Sequence, residues 1–117
     1  MKENISQFLP LSPAALHILL ALAGEDLHGY GIMLEVARQS ERQYKLGPGT
    51  LYDNLRKLMT QRCVEEVQKR TADDDPRRRY YRLTGLGRRV LAAEVARLEG
   101  VVREAKGFLV GSKPRRA

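Results

Sequence analysis

The chain has no tryptophan, and its two phenylalanines and five tyrosines make up only 6% of 117 residues. Its core must therefore be mainly aliphatic, which points to packed helices. There is one cysteine, Cys63. No internal disulfide can form, and a reducing compartment fits. Cys63 reads as a small core residue rather than a reactive thiol. One cysteine and two scattered histidines leave no ligand set for a structural zinc site. Long hydrophobic runs are also missing. The longest, AALHILLALA at residues 14–23, is too short to span a bilayer. Its Ala-x-Ala ending faintly resembles a secretory leader. Against that, Glu3 sits where a basic leader belongs, His17 interrupts the run, and Pro10 and Pro13 precede it. A buried core helix is the better reading, so a cytoplasmic protein with no membrane partner is expected.

Catalytic patterns are absent as well. His17 lies inside an apolar helix and reads as a satisfied core residue. His28 stands at a helix start and reads as a cap. No nucleophile, base and carboxylate are grouped at informative spacing. There is no Walker-type glycine loop and no dinucleotide fingerprint. These absences point away from an enzyme, and no cofactor is expected.

What the chain does have is positive charge. Twenty-one basic against fourteen acidic residues give +7, with an isoelectric point near 9.9. A polyanionic partner is favoured, nucleic acid before membrane. The length suits one domain with a modest core.

The order of elements narrows the reading. Residues 1–11 carry Ile5, Phe8 and Leu9 at one-turn spacing and read as an arm that docks, a second subunit being one candidate. Ser12 and Pro13 start a first helix that is apolar nearly all round, and Gly24 ends it. In a second helix, Tyr30, Met33, Leu34 and Ala37 fall on one face. Gly47, Pro48 and Gly49 then turn into a third helix whose apolar face is Leu51, Leu55, Leu58 and Met59. VEEV and RRRYYRLT read as two strands of a β-hairpin around the polar segment TADDDP. Adjacent Tyr80 and Tyr81 should face opposite ways, one toward the core. Thr84 caps a last helix in which Leu91, Val95, Leu98, Val102, Ala105 and Leu109 repeat at 4, 3, 4, 3, 4.

The predicted fold is mainly α with a small β-hairpin: a winged helix-turn-helix with a long C-terminal dimerisation helix. The expected divisions are an arm at 1–11, a DNA-binding domain at 12–84, a dimerisation helix at 85–110 and a basic disordered tail at 111–117.

In this layout the third helix can enter a DNA major groove. Its outward face is small, polar and basic. Thr50 suits a phosphate or base edge, Asn54 adenine, Arg56 guanine, and Tyr52 a thymine methyl or a phosphate. Lys45 precedes the helix where a phosphate would pass, and Pro48 and Gly49 open an anion-attracting helix N-terminus. Lys57 adds charge on the same face. Arg77, Arg78 and Arg79 in the wing could reach the minor groove or flanking phosphates. They follow Asp73, Asp74 and Asp75, so residues 63–82 hold six basic and five acidic groups, a net of +1. Residues 45–62 hold four and one, a net of +3, so the third helix carries the stronger signal. A last helix of roughly 25 residues spans on the order of 37 Å, beyond so small a body. A homodimer through that seam follows, matched to a palindromic double-stranded operator. Two other readings stay open: a module that binds a protein through its last helix, without salt-dependent DNA affinity, and a non-specific architectural DNA binder.

The chain also resembles the PadR family of bacterial transcriptional regulators. The likeness lies in ILLALAGEDLHGYGI, KLGPGTLYDNLRKLMTQRCVEEV and RRRYYRLTGLGRRVL. Within these, His28-Gly29-Tyr30, Pro48-Gly49-Thr50-Leu51-Tyr52 and Arg78-Arg79-Tyr80-Tyr81-Arg82-Leu83-Thr84 with Gly87 match the family's wording. The resemblance covers roughly residues 12–91. It implies a dimeric winged-helix repressor of the short form, with one C-terminal helix. It further implies DNA contacts from the third helix and the wing. Some members of the family release DNA on binding a small aromatic or drug-like molecule, so an unidentified effector is a further partner that it allows.

Overall fold

The computed structural model describes residues 4–68 and 78–109. Arg77, the Asp73–Asp75 run and the tail at 111–117 lie outside the described residues. A short 3₁₀ turn, Ile5–Phe8, precedes α1 (Pro13–Leu22), β1 (Leu27–His28), α2 (Gly29–Gln39) and α3 (Pro48–Thr60). Strands β2 (Val64–Val67) and β3 (Tyr80–Leu83) and the helix α4 (Gly85–Leu109) follow.

The caps explain where the helices start. Ser12 Oγ accepts from the Ala15 N–H at 3.1 Å, with Pro13 in the first turn. His28 Nδ1 accepts from the Gly31 N–H at 3.1 Å, so His28 is the cap that its position suggests. Thr84 Oγ1 accepts from the Gly87 N–H at 2.9 Å and donates to the Arg62 carbonyl at 2.6 Å. One hydroxyl thus caps α4 and ties it to the end of α3.

Helices α2 and α3 end in the same device without glycine. After α3, the Cys63 N–H donates to Leu58 O and the Arg62 N–H to Met59 O. After α2, Arg42 N–H donates to Ala37 O and Glu41 N–H to Arg38 O. Both are Schellman closures. Each holds a charged residue at positive φ where glycine is usual: Glu41 at 52° and Arg62 at 64°.

The core is aliphatic, as a chain without tryptophan requires. Ile18 and Leu19 of α1, Ile32 and Val36 of α2, Leu51 and Leu55 of α3, Val64 and Val90 are all fully buried. Helix α1 touches α2, α3, α4 and β3, the central position expected of it. Cys63 is buried, and burial pushes its thiol pKa up, so the group stays protonated.

Several expectations are corrected by the packing. The buried side of α2 is Gly29, Ile32 and Val36, whereas Tyr30 and Leu34 are 62% and 54% exposed. Met33 fits either stripe, and the β-branched pair Ile32 and Val36 is the one in the core. The hairpin is the larger part of a three-stranded antiparallel sheet in the order β1-β3-β2. Leu27 and His28 pair with Tyr81 and Tyr80, and Val64 to Val67 pair with Leu83 back to Tyr80. Tyr81 joins the core, as expected of one of the pair, and Tyr80, on the other face, is buried as well. Tyr80 meets the His28 ring edge-on, with centroids 5.3 Å apart. Arg82, opposite Glu65, also makes a two-pronged bond to Asp26 at 2.9 and 3.2 Å, fixing the approach to β1. His17 is not satisfied: its ring stacks on Tyr44 at 4.4 Å, and its buried Nδ1 has no partner among the described residues.

The arm packs on its own chain. Ile5, Phe8, Leu9 and Leu11 lie against the core, and the 3₁₀ turn contacts α4. A buried carboxylate anchors it: Glu94 is 1% exposed and accepts from the Leu11 N–H at 3.1 Å and from Arg97 Nε at 2.7 Å. The Arg97 hydrogen bond, helped by the Leu11 N–H and the Arg97 charge, outweighs desolvation and lowers the Glu94 pKa. A carboxyl with a lowered folded-state pKa stabilises fully above its unfolded value, and that contribution is lost as pH falls through the folded one. Glu94→Gln should therefore cost about 2 kcal/mol near neutrality. It should also flatten the loss of stability between about pH 5 and pH 2. Urea midpoints across that range check this; parallel acid limbs for both proteins would refute it.

Candidate nucleic-acid interface

The N-terminus of α3 is left open by its sequence. Gly47 at the cap position offers no side chain, and no side-chain hydrogen bond closes the first turn. A Cβ built on Gly49 would meet nothing within 4 Å, so that turn faces open space. Lys45 is exposed in the turn just before it. A shallow depression lined by Pro48, Gly49, Thr50, Tyr52, Asp53 and Arg56 runs along the outer face.

The cations on this face are held by one acid. Asp53 Oδ1 accepts from Arg56 Nη1 at 3.3 Å, and Asp53 Oδ2 lies 3.6 Å from Lys57 Nζ. Arg56 and Lys57 are 71% and 70% exposed, so these pairs do little for stability. Asn54 is half-buried and donates to the Thr50 carbonyl at 2.9 Å, which engages its amide nitrogen within the helix.

Tyr52 joins this face to the sheet. It lines a second cleft with His28, Gly29, Tyr30, Arg78, Arg79 and Tyr81. The ring rests on the start of α2, where a Cβ at Gly29 would overlap the Tyr52 hydroxyl. A larger residue at Gly29 would displace the exposed Tyr52 ring from this position. Arg79 reaches Glu66 of β2 at 3.9 Å, and Arg78 is exposed. The Tyr81 hydroxyl pKa is pushed up by burial first, then by Tyr52 and Glu66. Thr50, Tyr52, Arg56, Lys57, Arg78 and Arg79 are thus all exposed on α3 and the adjoining cleft. Tyr30, assigned from the sequence to a buried face, belongs to this cleft.

The far half of α4 forms a separate surface. Its buried residues are Gly87, Val90, Leu91 and Glu94, all in the first ten positions. Leu91 is therefore part of the chain's own core and leaves the predicted seam. Beyond it, Val95, Val102, Ala105 and Leu109 are exposed, Leu109 by 81%, and Leu98 is half-buried. Val95, Leu98 and Val102 line a groove edged by Glu99, Arg103 and Lys106. Among the described residues no group of three His, Cys, Asp or Glu is placed to hold a metal, and no helix is long and apolar enough to cross a membrane.

Three helices around one core, with the third helix open at its N-terminus and a strand pair beside it, define a winged helix-turn-helix. The chain belongs to the PadR-like family of transcriptional regulators, whose family model matches residues 18–93. It is a regulator that acts through DNA binding; members of this family are regulators, not enzymes. It is 35% identical over 92 residues to transcriptional regulator Rv3488 of Mycobacterium tuberculosis, covering 79% of this chain and 81% of that one. A PadR family transcription regulator from Clostridium difficile superposes with a TM-score of 0.69 at 25% identity, covering 84% of this chain and 99% of the other. A transcriptional regulator from Clostridium thermocellum superposes with a TM-score of 0.70 at 22% identity, over 82% and 89% of the two chains.

Proposed function

We propose that the chain is a homodimeric repressor that lays α3 of each subunit in the major groove of a palindromic operator. Thr50, Asn54 and Arg56 read base edges, with Tyr52 at a thymine methyl or a phosphate. Lys45, Lys57 and the open helix start at Pro48 and Gly49 hold backbone phosphates. Arg77, Arg78 and Arg79 extend the contact through the wing. The single observation that carries this is the uncapped N-terminus of α3, continuous with exposed Thr50, Tyr52, Arg56 and Lys57 and flanked by Arg78 and Arg79 across the Tyr52 cleft. Val95, Leu98, Val102, Ala105 and Leu109 pair the α4 helices, which sets two reading helices at the spacing of two half-sites. Release from DNA by a small-molecule effector belongs to the same reading. A site within the reducing cytoplasm fits the single buried cysteine.

The test is the double variant Arg56→Ala/Lys57→Ala. Both side chains are exposed and make no core contact, so folding should be unchanged. Affinity for the protein's selected binding sequence should fall about a hundredfold, and the dependence of log K on log salt should shrink by about 2. Fluorescence anisotropy at ~150 mM salt reads both quantities. Unchanged affinity would remove α3 from the interface.

A further inference from the structure

The outward face of α3 is not made of cations and neutral groups alone. Leu51, Leu55 and Leu58 mark the buried side. At 3.6 residues per turn Asp53 lies opposite them, with Arg56 and Lys57 on either flank. An exposed carboxylate paired to two exposed cations contributes little to stability. It also opposes non-specific binding, because it places negative charge at the centre of the face that meets phosphates. Neither folding nor general affinity for polyanions accounts for an acid in this position.

A base edge does account for it. An ionised carboxylate can only accept hydrogen bonds. In the major groove the N4 amino group of cytosine is a donor that suits it, whereas adenine sets an acceptor, N7, beside its amino donor. The guanine paired to that cytosine presents O6 and N7, two acceptors suited to a guanidinium. Asp53 and Arg56 already stand side by side, Oδ1 to Nη1 at 3.3 Å. Acceptor and donor lie next to each other on the protein as donor and acceptors do on a C·G pair.

We infer that Asp53 is a specificity-determining residue. Its carboxylate accepts from a cytosine N4 while Arg56 donates to guanine, so that the Asp53–Arg56 pair reads one C·G pair in each half-site. This rests on the placement of α3 in the major groove argued above. Away from its operator, Asp53 holds Arg56 and Lys57 and weakens their pull toward unrelated phosphates. Lys57 is then free for the backbone once the specific contact forms.

The experiment is selection of bound sequences from a random duplex pool by the wild-type protein, Asp53→Ala and Asp53→Asn at ~150 mM salt, followed by affinities for single-pair replacements. The wild-type half-site should contain one C·G pair whose replacement weakens binding roughly tenfold or more. For Asp53→Ala the same replacement should cost less than about threefold, and an unrelated duplex should bind about threefold tighter than it does to wild type. Asp53→Asn presents a donor beside an acceptor, so its selected base should move from cytosine to adenine. If both variants keep the wild-type preference at every position while Arg56→Ala/Lys57→Ala loses binding, the assignment to Asp53 is overturned and α3 remains the reading helix. If the double variant also binds normally, both fall together.

Discussion

Gly87→Ala should lower the melting temperature by about 15 °C, although it adds a single methyl group within a helix. In a helix interior that change ordinarily stabilises by about 1 kcal/mol. At Gly87 the added Cβ would overlap the Cys63 carbonyl oxygen, and it would stand 2.9 Å from the carbonyl carbon and 2.8 Å from Leu83 Cδ1. The obstacle is backbone that cannot give. Cys63 N–H donates to Leu58 O at 2.9 Å, and Cys63 O accepts from the Thr84 N–H at 3.1 Å. Relief would require α4 to lift from the α3–β2 junction and uncover Val90 and Leu91, both buried. A cost of about 3 kcal/mol follows, a large share of the 5–15 kcal/mol typical of a domain. Gly100 is the control, because a Cβ there would meet only Arg103 Nη2 at 3.7 Å. Gly100→Ala should melt at or above the wild-type temperature. Scanning calorimetry of the three proteins decides it; two alanine variants that melt alike would show that the α4 contact yields more readily than its hydrogen bonds imply.

The parts of this fold that were legible in the sequence are those with local causes. Ser12, Pro13, Pro48 and Thr84 set helix starts through their own side chains and rings, and the helices begin there. Leu51, Leu55 and Leu58 share a face by spacing alone, and that face is buried. What was not legible is decided across long separations. Strand β1 is two residues long and exists because β3 offers it an edge, 54 residues away at the Leu27–Tyr81 pair. That same pairing makes β3 central and brings the His28 ring edge-on to Tyr80. Helix α2 carries two stripes at helical spacing, and only the positions of α1 and α3 choose Ile32 and Val36 over Tyr30 and Leu34. Glu94 gives no local sign of burial, because its partner Leu11 lies 83 residues away. The exposed set on α3 was readable, and so was the central place of Asp53, which follows from the same periodicity.

The far half of α4 leads to the last expected result: Leu98→Glu should dissociate the proposed dimer, raising its dissociation constant by roughly a thousandfold or more. Helix α4 spans 25 residues, and its own domain covers only the part up to Glu94. Past that point Val95, Val102 and Leu109 are exposed, and Leu98 sits between Val95 and Val102 in the groove they line. In a two-fold dimer each substitution occurs twice, so two carboxylates would be desolvated and set against each other. Leu98→Lys should act alike, since the Glu99, Arg103 and Lys106 rim gives neither charge a buried partner. DNA affinity should fall as well, by about 10²–10⁴, because one half-site no longer places the second reading helix beside its own. Leu91 separates this effect from damage to the fold. It lies in the chain's own core, so Leu91→Glu should unfold the domain, whereas Leu98→Glu should leave melting of the isolated subunit nearly unchanged. Sedimentation velocity at micromolar concentration gives the answer directly. A Leu98→Glu protein that still sediments as a dimer and still binds its operator normally would mean that α4 does not form the subunit interface.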